Sequence, residues 1–239
     1  MKTYENETVV GILGAMEPEV EILISALEDA DTETLGGVTY HCGRIGDVPV
    51  VVARCGVGKV CAAACTQTMI LRYGVGLLIN TGVGGGIDPA LSIGDVAIAT
   101  ALVQHDVDTT AVGDPPALIS ALGRVEMEAD RDLSDRVAAL CQNAGIRFVR
   151  GVVATGDQFI CTKAQKDSLR DRFRAVACEM EGGAVAQICA MNDVPFCVLR
   201  AISDNADEQA TLDYPAFVRA MAAKMAAVVL ALVRERETV

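Results

Sequence analysis

The sequence predicts one α/β domain over residues 1–239, with a central mixed and mostly parallel sheet flanked by helices. Short β-branched segments alternate with helical segments along the chain, and this order is typical of α/β folds. The segment Gly76–Thr81 carries a continuous apolar run, as strands buried on both faces do. No linker, internal repeat or low-complexity tract divides the chain, so a single domain is expected.

Local sequence predicts each element in turn, with β-branched runs indicating strands and helical spacing of apolar residues indicating helices. Pro18 suits the first turn of a helix, where its missing N–H costs nothing, and Gly46-Asp47 fits a hairpin turn. The predicted strands are Thr8–Leu13, Val38–Ile45, Val48–Ala53, Gly76–Thr81, Asp95–Leu102, Arg147–Thr155, Ala175–Cys178 and Val194–Leu199. The predicted helices are Glu17–Leu27, Lys59–Tyr73, Arg131–Ala144, Lys163–Phe173, Gly183–Ala190 and Tyr214–Arg236. Pro115–Met127 is predicted to be a loop region.

Composition and charge exclude several classes of function. The chain has 32 acids against 20 bases, a net charge of −12, and its lysines and arginines form no basic stripe, so a nucleic-acid partner is not expected. No segment reaches the roughly 18 uninterrupted apolar residues that span a bilayer. Met1–Glu7 carries acids where a secretory signal would carry bases. We therefore expect a cytoplasmic protein that does not enter membranes.

The nine cysteines predict neither a metal site nor disulfides. Most lie inside apolar runs, where a free cysteine behaves as a small hydrophobic residue. No CxxC occurs, and the neighbours His41 and Cys42 have no partners at zinc-ligand spacing. No metal or cofactor is expected.

Two acidic segments are the strongest local indication of function. Glu179-Met180-Glu181 precedes a helical stretch, and Arg200–Asp204 follows the next predicted strand. An acid before a helix and an acid at the end of the next strand meet at one edge of a parallel sheet, where α/β folds bind ligands. The pair therefore favours acid–base chemistry on a polar small molecule. The alternative is a set of solvated loop acids with a surface ion pair.

Three further loops are candidates. Gly82–Gly86 lacks the following helix that a dinucleotide fingerprint requires, so it indicates either close approach of the backbone to a flat ligand or a tight connection between strands. Gly14–Glu19 places two acids in a first helical turn, where capping is the alternative to catalysis. Gly156–Ile160 ends a strand and carries Phe159, either a stacking surface or a lid on the core.

Together these segments resemble the 5′-methylthioadenosine/S-adenosylhomocysteine nucleosidases, a family of the nucleoside phosphorylase superfamily. The resemblance runs in the family's order from residue 9 to about residue 220 and implies a nucleoside phosphorylase-like fold. The segments that carry it are Gly14–Glu19, Gly56–Val60, Asn80-Thr81-Gly82, Gly85-Gly86, His105-Asp106, Gly156–Ile160, Glu179-Met180-Glu181 and Arg200–Asp204.

The resemblance implies a hydrolase that cleaves the N-glycosidic bond of an adenine nucleoside, in methionine salvage and methyl-cycle recycling. By this carry-over, Glu19 activates water, Asp204 protonates adenine at N7 and Glu181 holds the ribose hydroxyls. An oxocarbenium-like transition state suits carboxylates at both ends of the breaking bond. The substrates implied are 5′-methylthioadenosine, S-adenosylhomocysteine and 5′-deoxyadenosine.

The same carry-over implies a substrate-binding set around these acids. Arg200 is expected to hold the attacking water, Ser203 to orient Asp204, Phe159 to stack on adenine and Met180 to lie against the ribose. The full set is Met16, Val57, Val83, Gly84, Gly85, Phe159, Ile160, Glu179, Met180, Arg200, Ser203 and Tyr214.

The chain departs from the family pattern at two places. Val83 stands where many members carry a serine, so a hydroxyl near the ribose or water is lost. Asp114–Ser120 stands where relatives, which are homodimers, carry a loop that reaches the 5′ pocket of the other subunit. The alternatives are a purine nucleoside phosphorylase, an aminodeoxyfutalosine hydrolase and a nucleoside sensor without turnover. A phosphorylase would need a cluster of arginines around the phosphate.

Overall fold

The computed structural model describes residues 7–204 and 214–235, the latter with side chains from residue 218 onward. The described part contains ten strands and six α-helices. The strands are β1 (Val9–Gly14), β2 (Glu28–Leu35), β3 (Val38–Ile45), β4 (Val48–Arg54), β5 (Val75–Gly86), β6 (Val96–Gln104), β7 (Glu126–Glu128), β8 (Phe148–Thr155), β9 (Ala175–Glu179) and β10 (Phe196–Asp204). The helices are α1 (Glu17–Ser25), α2 (Lys59–Tyr73), α3 (Arg131–Asn143), α4 (Lys163–Phe173), α5 (Gly182–Met191) and α6 (Tyr214–Arg234).

All ten described strands join one sheet, which confirms the predicted α/β architecture with a central mixed sheet. Part of the sheet closes on itself, because β5 pairs with both β9 and β10 and the ring β5–β10–β6–β8–β9 is complete. The rest is an open arm in the order β5–β1–β4–β3–β2. The closed part brings the ends of β5, β9 and β10 together, and these strands carry the predicted acidic segments or precede them directly.

The prediction that most pairings are parallel is wrong. Five of the ten described pairings are parallel and five are antiparallel. Much of the antiparallel share comes from β2 and β7, which the sequence did not predict. Strand β2 has the sequence EDADTETL, and most of its residues are exposed. It forms by pairing with β3 at the edge of the sheet, where acidic residues discourage contact with other edges.

Helices cover both faces of the sheet. On one face α2 and α5 pack on the strands through small side chains such as Ala62, Cys65 and Ala186. On the other face α1, α3 and α6 bury Leu23, Val137 and Val229 against β1, β4 and β10. The buried cysteines are thus ordinary core residues, as predicted. Of the helices in the described part, none combines the length and apolarity that crossing a bilayer requires.

Candidate active site

A cavity of about 200 Å³ lies where β1, β5, β9 and β10 end. Thirteen of the fifteen site residues predicted from the sequence line it. They are Met16, Glu19, Val57, Val83, Gly84, Gly85, Phe159, Ile160, Glu179, Met180, Glu181, Ser203 and Asp204. Arg200 is absent from the lining, and the side chain of Tyr214, the first residue of α6, lies outside the described side chains. The lining also includes Ala15, Gln158 and Cys178, which are sequence neighbours of predicted residues.

Glu19 is oriented by three backbone amides. Its Oε2 accepts hydrogen bonds from the N–H groups of Ala15 at 2.8 Å and Met16 at 2.9 Å, and its Oε1 accepts one from Val83 at 3.0 Å. The first two contacts cap α1, so the capping alternative is also true of this residue. The third contact reaches across to β5 and turns the carboxylate into the cavity. Glu19 therefore combines a fixed position with burial, at 5% exposure.

The glycine run is part of strand β5, so its interpretation as a tight connection between strands is wrong, whereas close approach of the backbone to a ligand agrees with the position of Gly84 and Gly85 in the cavity lining. A Cβ at Gly82 would lie 2.6 Å from Glu19 Oε1, and a Cβ at Gly84 would lie 2.8 Å from the carbonyl oxygen of Cys178. Real Cβ atoms do not approach so closely. The glycines therefore allow strand β5 to touch the Glu19 carboxylate and strand β9, while Gly84 and Gly85 form the cavity floor.

At Val83 the backbone, not the side chain, supplies the polar contact. Its N–H donates to Glu19 Oε1, and any residue except proline offers the same amide at this position. The missing serine hydroxyl therefore leaves the orientation of Glu19 intact. The Val83 side chain adds an apolar wall to the cavity.

Glu179 and Arg200 form a buried ion pair behind the cavity. Arg200 Nη2 donates to Glu179 Oε2 at 2.5 Å, and both side chains are 1% exposed. Glu179 Oε2 also accepts the N–H groups of Glu181 at 2.9 Å and Gly182 at 2.6 Å, at the N-terminus of α5. Helix N-termini favour such anions. Glu179 Oε1 accepts from the hydroxyl of Thr155, so both carboxylate oxygens are engaged with the protein.

Arg200 does not occupy the position that the sequence suggested. Instead of lining the cavity, its guanidinium donates to the side-chain and backbone oxygens of Asn80, at 2.5 and 3.2 Å, and to Glu179. Asn80 in turn donates to the carbonyl of Leu13 at 3.0 Å. These contacts link β10 to β5, β9 and β1. The physical reason is charge balance, because Arg200 is a buried cation among Glu19, Glu179 and Glu181.

Glu181 projects into the cavity with a strongly perturbed acidity. Its Oε1 accepts the N–H of Gly58 at 2.9 Å, and its Oε2 lies 3.9 Å from Arg200 Nη2. Burial and the charge of Glu179 raise the pKa of Glu181 from 4.5 to about 7, although Arg200 and the Gly58 amide act in the opposite direction. A displaced pKa in a cavity is common at functional sites. Near neutral pH this carboxyl can therefore either accept or donate a hydrogen bond.

Asp204 is the last residue of β10 and lines the cavity. The hydroxyl of Ser203 lies 2.7 Å from Asp204 Oδ2 and donates to it, and both residues are buried. The predicted pairing of Ser203 with Asp204 is therefore present in the structure. The two acidic segments that follow β9 and β10 do meet at one edge of the sheet, with Glu19 as a third carboxylate beside them.

The mouth of the cavity is apolar and open. Val57 is 54% exposed and Phe159 is 60% exposed, on the segments that follow β4 and β8. Phe159 is therefore not a lid on the core. Met16 and Met180 are half-buried farther in, and Ile160 is buried at 6%. The lining as a whole is mostly apolar, with carboxylates at one end, which suits an aromatic ring joined to a polar sugar.

Sequence reasoning assigned no role to three residues that hold the acids in place, although two of them lie in segments that carry the resemblance. Asn80 and Thr155 contact Arg200 and Glu179, and Gly58 contacts Glu181. Gly58 has φ of 99°, which favours glycine. Asn80 was visible as a polar residue inside a buried strand, and such a residue needs a partner. For Thr155 the sequence carried no comparable signal.

Comparison with known proteins agrees with this geometry. The sequence profile of the Phosphorylase superfamily matches residues 9–234. A 5′-methylthioadenosine/S-adenosylhomocysteine nucleosidase from Shewanella baltica strain OS155 is 38% identical over 218 residues, which cover 87% of this chain and 89% of the relative.

Two solved structures from Helicobacter pylori superpose on nearly the whole chain. One is a mutant nucleosidase with 5′-methylthioadenosine in its active site, with TM-score 0.91, 36% identity and coverage of 95% of this chain and 99% of the other. The second is a futalosine hydrolase of strain 26695, with TM-score 0.90, 38% identity and coverage of 95% and 98%. From its sequence and fold, this chain belongs to the 5′-methylthioadenosine/S-adenosylhomocysteine nucleosidase family of the phosphorylase superfamily.

Proposed function

We propose that this protein hydrolyses the N-glycosidic bond of 5′-methylthioadenosine and S-adenosylhomocysteine, and also that of 5′-deoxyadenosine. The products are adenine and the 5-substituted ribose. The proposal is supported by the named relatives and by the cavity, which has carboxylates at one end and an apolar mouth at the other. Phe159 stacks on adenine, and the Ile160 backbone contacts the purine edge.

Glu19 acts on the water. Its carboxylate takes a proton as the water oxygen forms a bond to the ribosyl carbon C1′, so that hydroxide is delivered without being free in solution. Three amide N–H groups hold the carboxylate in one orientation, so the water must approach it from one side. Arg200 contributes from behind the cavity, as a positioning residue that balances the buried acids.

Asp204 acts on the leaving group. As the bond between C1′ and adenine N9 breaks, its electron pair moves into the purine, and Asp204 supplies or holds the proton at N7. The hydroxyl of Ser203 keeps Asp204 in place. Overall, water adds H to the purine and OH to the sugar, so atoms and charge balance.

Glu181 binds the ribose. A carboxylate that accepts hydrogen bonds from two neighbouring hydroxyls positions the sugar and stabilises the positive charge that develops on it. Its Oε1 accepts the amide N–H of Gly58, and its Oε2 lies 3.9 Å from Arg200 Nη2. Met180 lies against the same sugar. Met16 and Val57 form the apolar region near the 5′ substituent.

One observation favours hydrolysis over phosphorolysis. Glu19, Glu181 and Asp204 present carboxylates to the cavity, while the carboxylate of Glu179 is paired with Arg200 behind it, and among the described lining residues there is neither a lysine nor an arginine. A phosphate dianion needs cationic or amide donors that converge on it, and it is repelled by carboxylates. Water suits this environment, and phosphate does not.

The test is adenine release from 5′-methylthioadenosine in phosphate-free buffer, followed by absorbance or chromatography. We expect turnover at full rate without phosphate. A strict phosphate requirement would show a phosphorylase instead, and tight nucleoside binding without adenine release would show a sensor.

The second candidate function is hydrolysis of aminodeoxyfutalosine. It is favoured by the futalosine hydrolase structure, which matches this chain with a TM-score of 0.90. The same adenine and ribose contacts serve both substrates, so the open 5′ side of the cavity decides between them. Comparing kcat/KM for aminodeoxyfutalosine with those for the three adenosine derivatives ranks the candidates directly.

We also infer a cytoplasmic homodimer in which residues 1–239 form one domain. The exposed apolar residue Val57 at the mouth supports a 5′ side covered by a second subunit, as does Val112 at 81% exposure in the segment between β6 and β7. Sedimentation at working concentration tests the dimer, and a monomer would contradict it.

A further inference from the structure

Two segments flank the cavity mouth, one after β4 and one after β8. A closed cluster of three residues joins them, with its third residue in the segment after β6. Lys59 Nζ donates to Asp106 Oδ1 at 2.6 Å, and the N–H of Asp157 donates to Asp106 Oδ2 at 2.9 Å. The N–H of Lys59 donates to Asp157 Oδ1 at 2.8 Å, which completes the ring. We refer to Lys59, Asp106 and Asp157 as the clamp. None of the three lines the cavity.

Each loop that the clamp joins carries one half of the binding site. Gly58, next to Lys59, donates its N–H to Glu181 Oε1 on the ribose side. Phe159 and Ile160, just after Asp157, line the adenine side. A Cβ at Gly58 would lie 3.0 Å from Asp157 Oδ1, so the two loops are in close contact. The relative position of the ribose and adenine contacts therefore depends on a few hydrogen bonds.

The clamp differs from an ordinary surface ion pair. The side chains of Lys59 and Asp106 are only 17% and 14% exposed, whereas the pair Lys163–Asp167 on α4 is 83% and 30% exposed. Burial alone would raise the pKa of Asp106, but the Lys59 ammonium and the Asp157 amide outweigh it and hold the pKa below its ordinary value. Exposed pairs contribute little, while a pair shielded from water and tied to backbone amides fixes geometry.

We propose that the clamp of Lys59, Asp106 and Asp157 sets the spacing between the ribose and adenine contacts, so that these three are positioning residues for the reaction. The reaction itself rests on the proposed function. Because both halves of a nucleoside must be held at once, a small change in spacing weakens nucleoside binding and misaligns the reacting atoms. Free adenine occupies one half only, so its binding does not depend on the spacing.

The experiment compares Lys59→Met, Asp106→Asn and the double variant with wild type. We measure kcat and KM for 5′-methylthioadenosine, the dissociation constants of the nucleoside and of free adenine, and Tm. Each single variant is expected to lose at least about tenfold in kcat/KM while its affinity for adenine stays within about twofold. The double variant should lose no more kcat/KM than the worse single variant, because both substitutions break the same unit.

Two further variants control the result. Lys163→Met makes the same change in the exposed pair of α4, and its kcat/KM should remain at the wild-type value. Asp106→Glu keeps the charge and moves the carboxylate by one methylene, so it tests the spacing even if the neutral variants do not fold. It should weaken nucleoside binding relative to adenine binding.

Four outcomes would overturn the proposal. They are unchanged kcat/KM in the clamp variants, an equal loss of affinity for adenine and nucleoside, additive losses in the double variant, and unchanged relative affinities in Asp106→Glu. The two binding constants need no turnover. If the wild-type protein releases no adenine, the proposed hydrolysis fails, and the ratio of nucleoside to adenine affinity still decides for or against the clamp.

Discussion

The two ends of the cavity are built in different ways. At the inner end Glu19, Glu181 and Asp204 are 5%, 6% and 8% exposed, whereas at the mouth Val57 and Phe159 are 54% and 60% exposed. The inner acids are fixed by backbone amides or by a neighbouring hydroxyl. The apolar mouth residues lie on loops.

This difference separates the residues that act on the reaction from those that bind the nucleoside. Fixed, buried carboxylates act most strongly on a transition state, because electrostatic effects grow as water is excluded. Exposed apolar side chains gain from being covered, and in the proposed binding mode adenine would cover Phe159. Changes at the inner end should therefore alter mainly the rate, and changes at the mouth should alter mainly the affinity.

Glu19→Gln is the most severe test of the inner end. Adenine release should fall below detection because the amide cannot take a proton from water, while calorimetry should still show nucleoside binding. Glu17→Gln is the matched control, since Glu17 lies two residues away with its side chain 71% exposed. Loss of nucleoside binding in Glu19→Gln would show that Glu19 is a binding or structural residue instead.

Asp204→Asn should lower the rate of the chemical step by roughly 10²–10⁴, the usual scale for a positioned acid. Single-turnover adenine release measures that step. Ser203→Ala removes the hydroxyl 2.7 Å from Asp204 Oδ2 and should lower the rate less, because the acid itself remains. Near-normal single-turnover rates in Asp204→Asn would refute its role as the acid.

Phe159→Ala tests the mouth. Loss of aromatic stacking on a base costs about 1–3 kcal/mol, so KM should rise by roughly 5- to 150-fold with a smaller change in kcat. Stability should be preserved, because the side chain is 60% exposed. Leu71→Ala, at an apolar residue 75% exposed on α2, should leave KM unchanged. If kcat falls and KM does not rise, the division between inner residues that set the rate and mouth residues that set the affinity is wrong.

Glu181→Gln should impair activity, but its effect on stability should be small and should depend on pH. The pKa of Glu181 is about 7 in the folded protein, above the 4.5 of an unperturbed carboxyl, so the folded state binds the proton more tightly. The wild type therefore loses stability as pH rises from about 4.5 to 7.

The neutral glutamine does not have this loss. Its Tm should exceed that of the wild type by a few degrees above pH 7, at about 2–4 °C per kcal/mol, and the excess should shrink toward pH 4.5. The exposed Glu21→Gln should show no such trend. A Tm difference that stays constant between pH 4.5 and 8 would refute the burial effect on Glu181.

Elements with clear periodicity were predicted from sequence, and those that depend on tertiary contact were not. Helix α2 and strands β3 and β4 have the predicted positions or nearly so. Strand β2 escaped prediction because its acids and threonines carry no apolar alternation. The glycine run of β5 resembles a loop in sequence, and it remains extended because β9 and β10 pair with it.

The lining of the cavity was predictable through the family resemblance, whose motifs lie in short segments at strand ends. The residues that hold the lining in place were not predictable. Arg200 lies behind the acids, although its position in the segment suggested contact with water. Lys59 and Asp106 are 47 residues apart, and no local pattern relates them. Pairings across such separations are fixed by the fold, whereas sequence spacing identifies only neighbours within one element.

The most direct test of the central claim, that carboxylates at the inner end activate water, is the identity of the sugar product. Wild-type protein is given 5′-methylthioadenosine in buffer with saturating phosphate, and the products are analysed by mass spectrometry. The account predicts free 5-methylthioribose with adenine and no sugar phosphate. Formation of 5-methylthioribose 1-phosphate would contradict it.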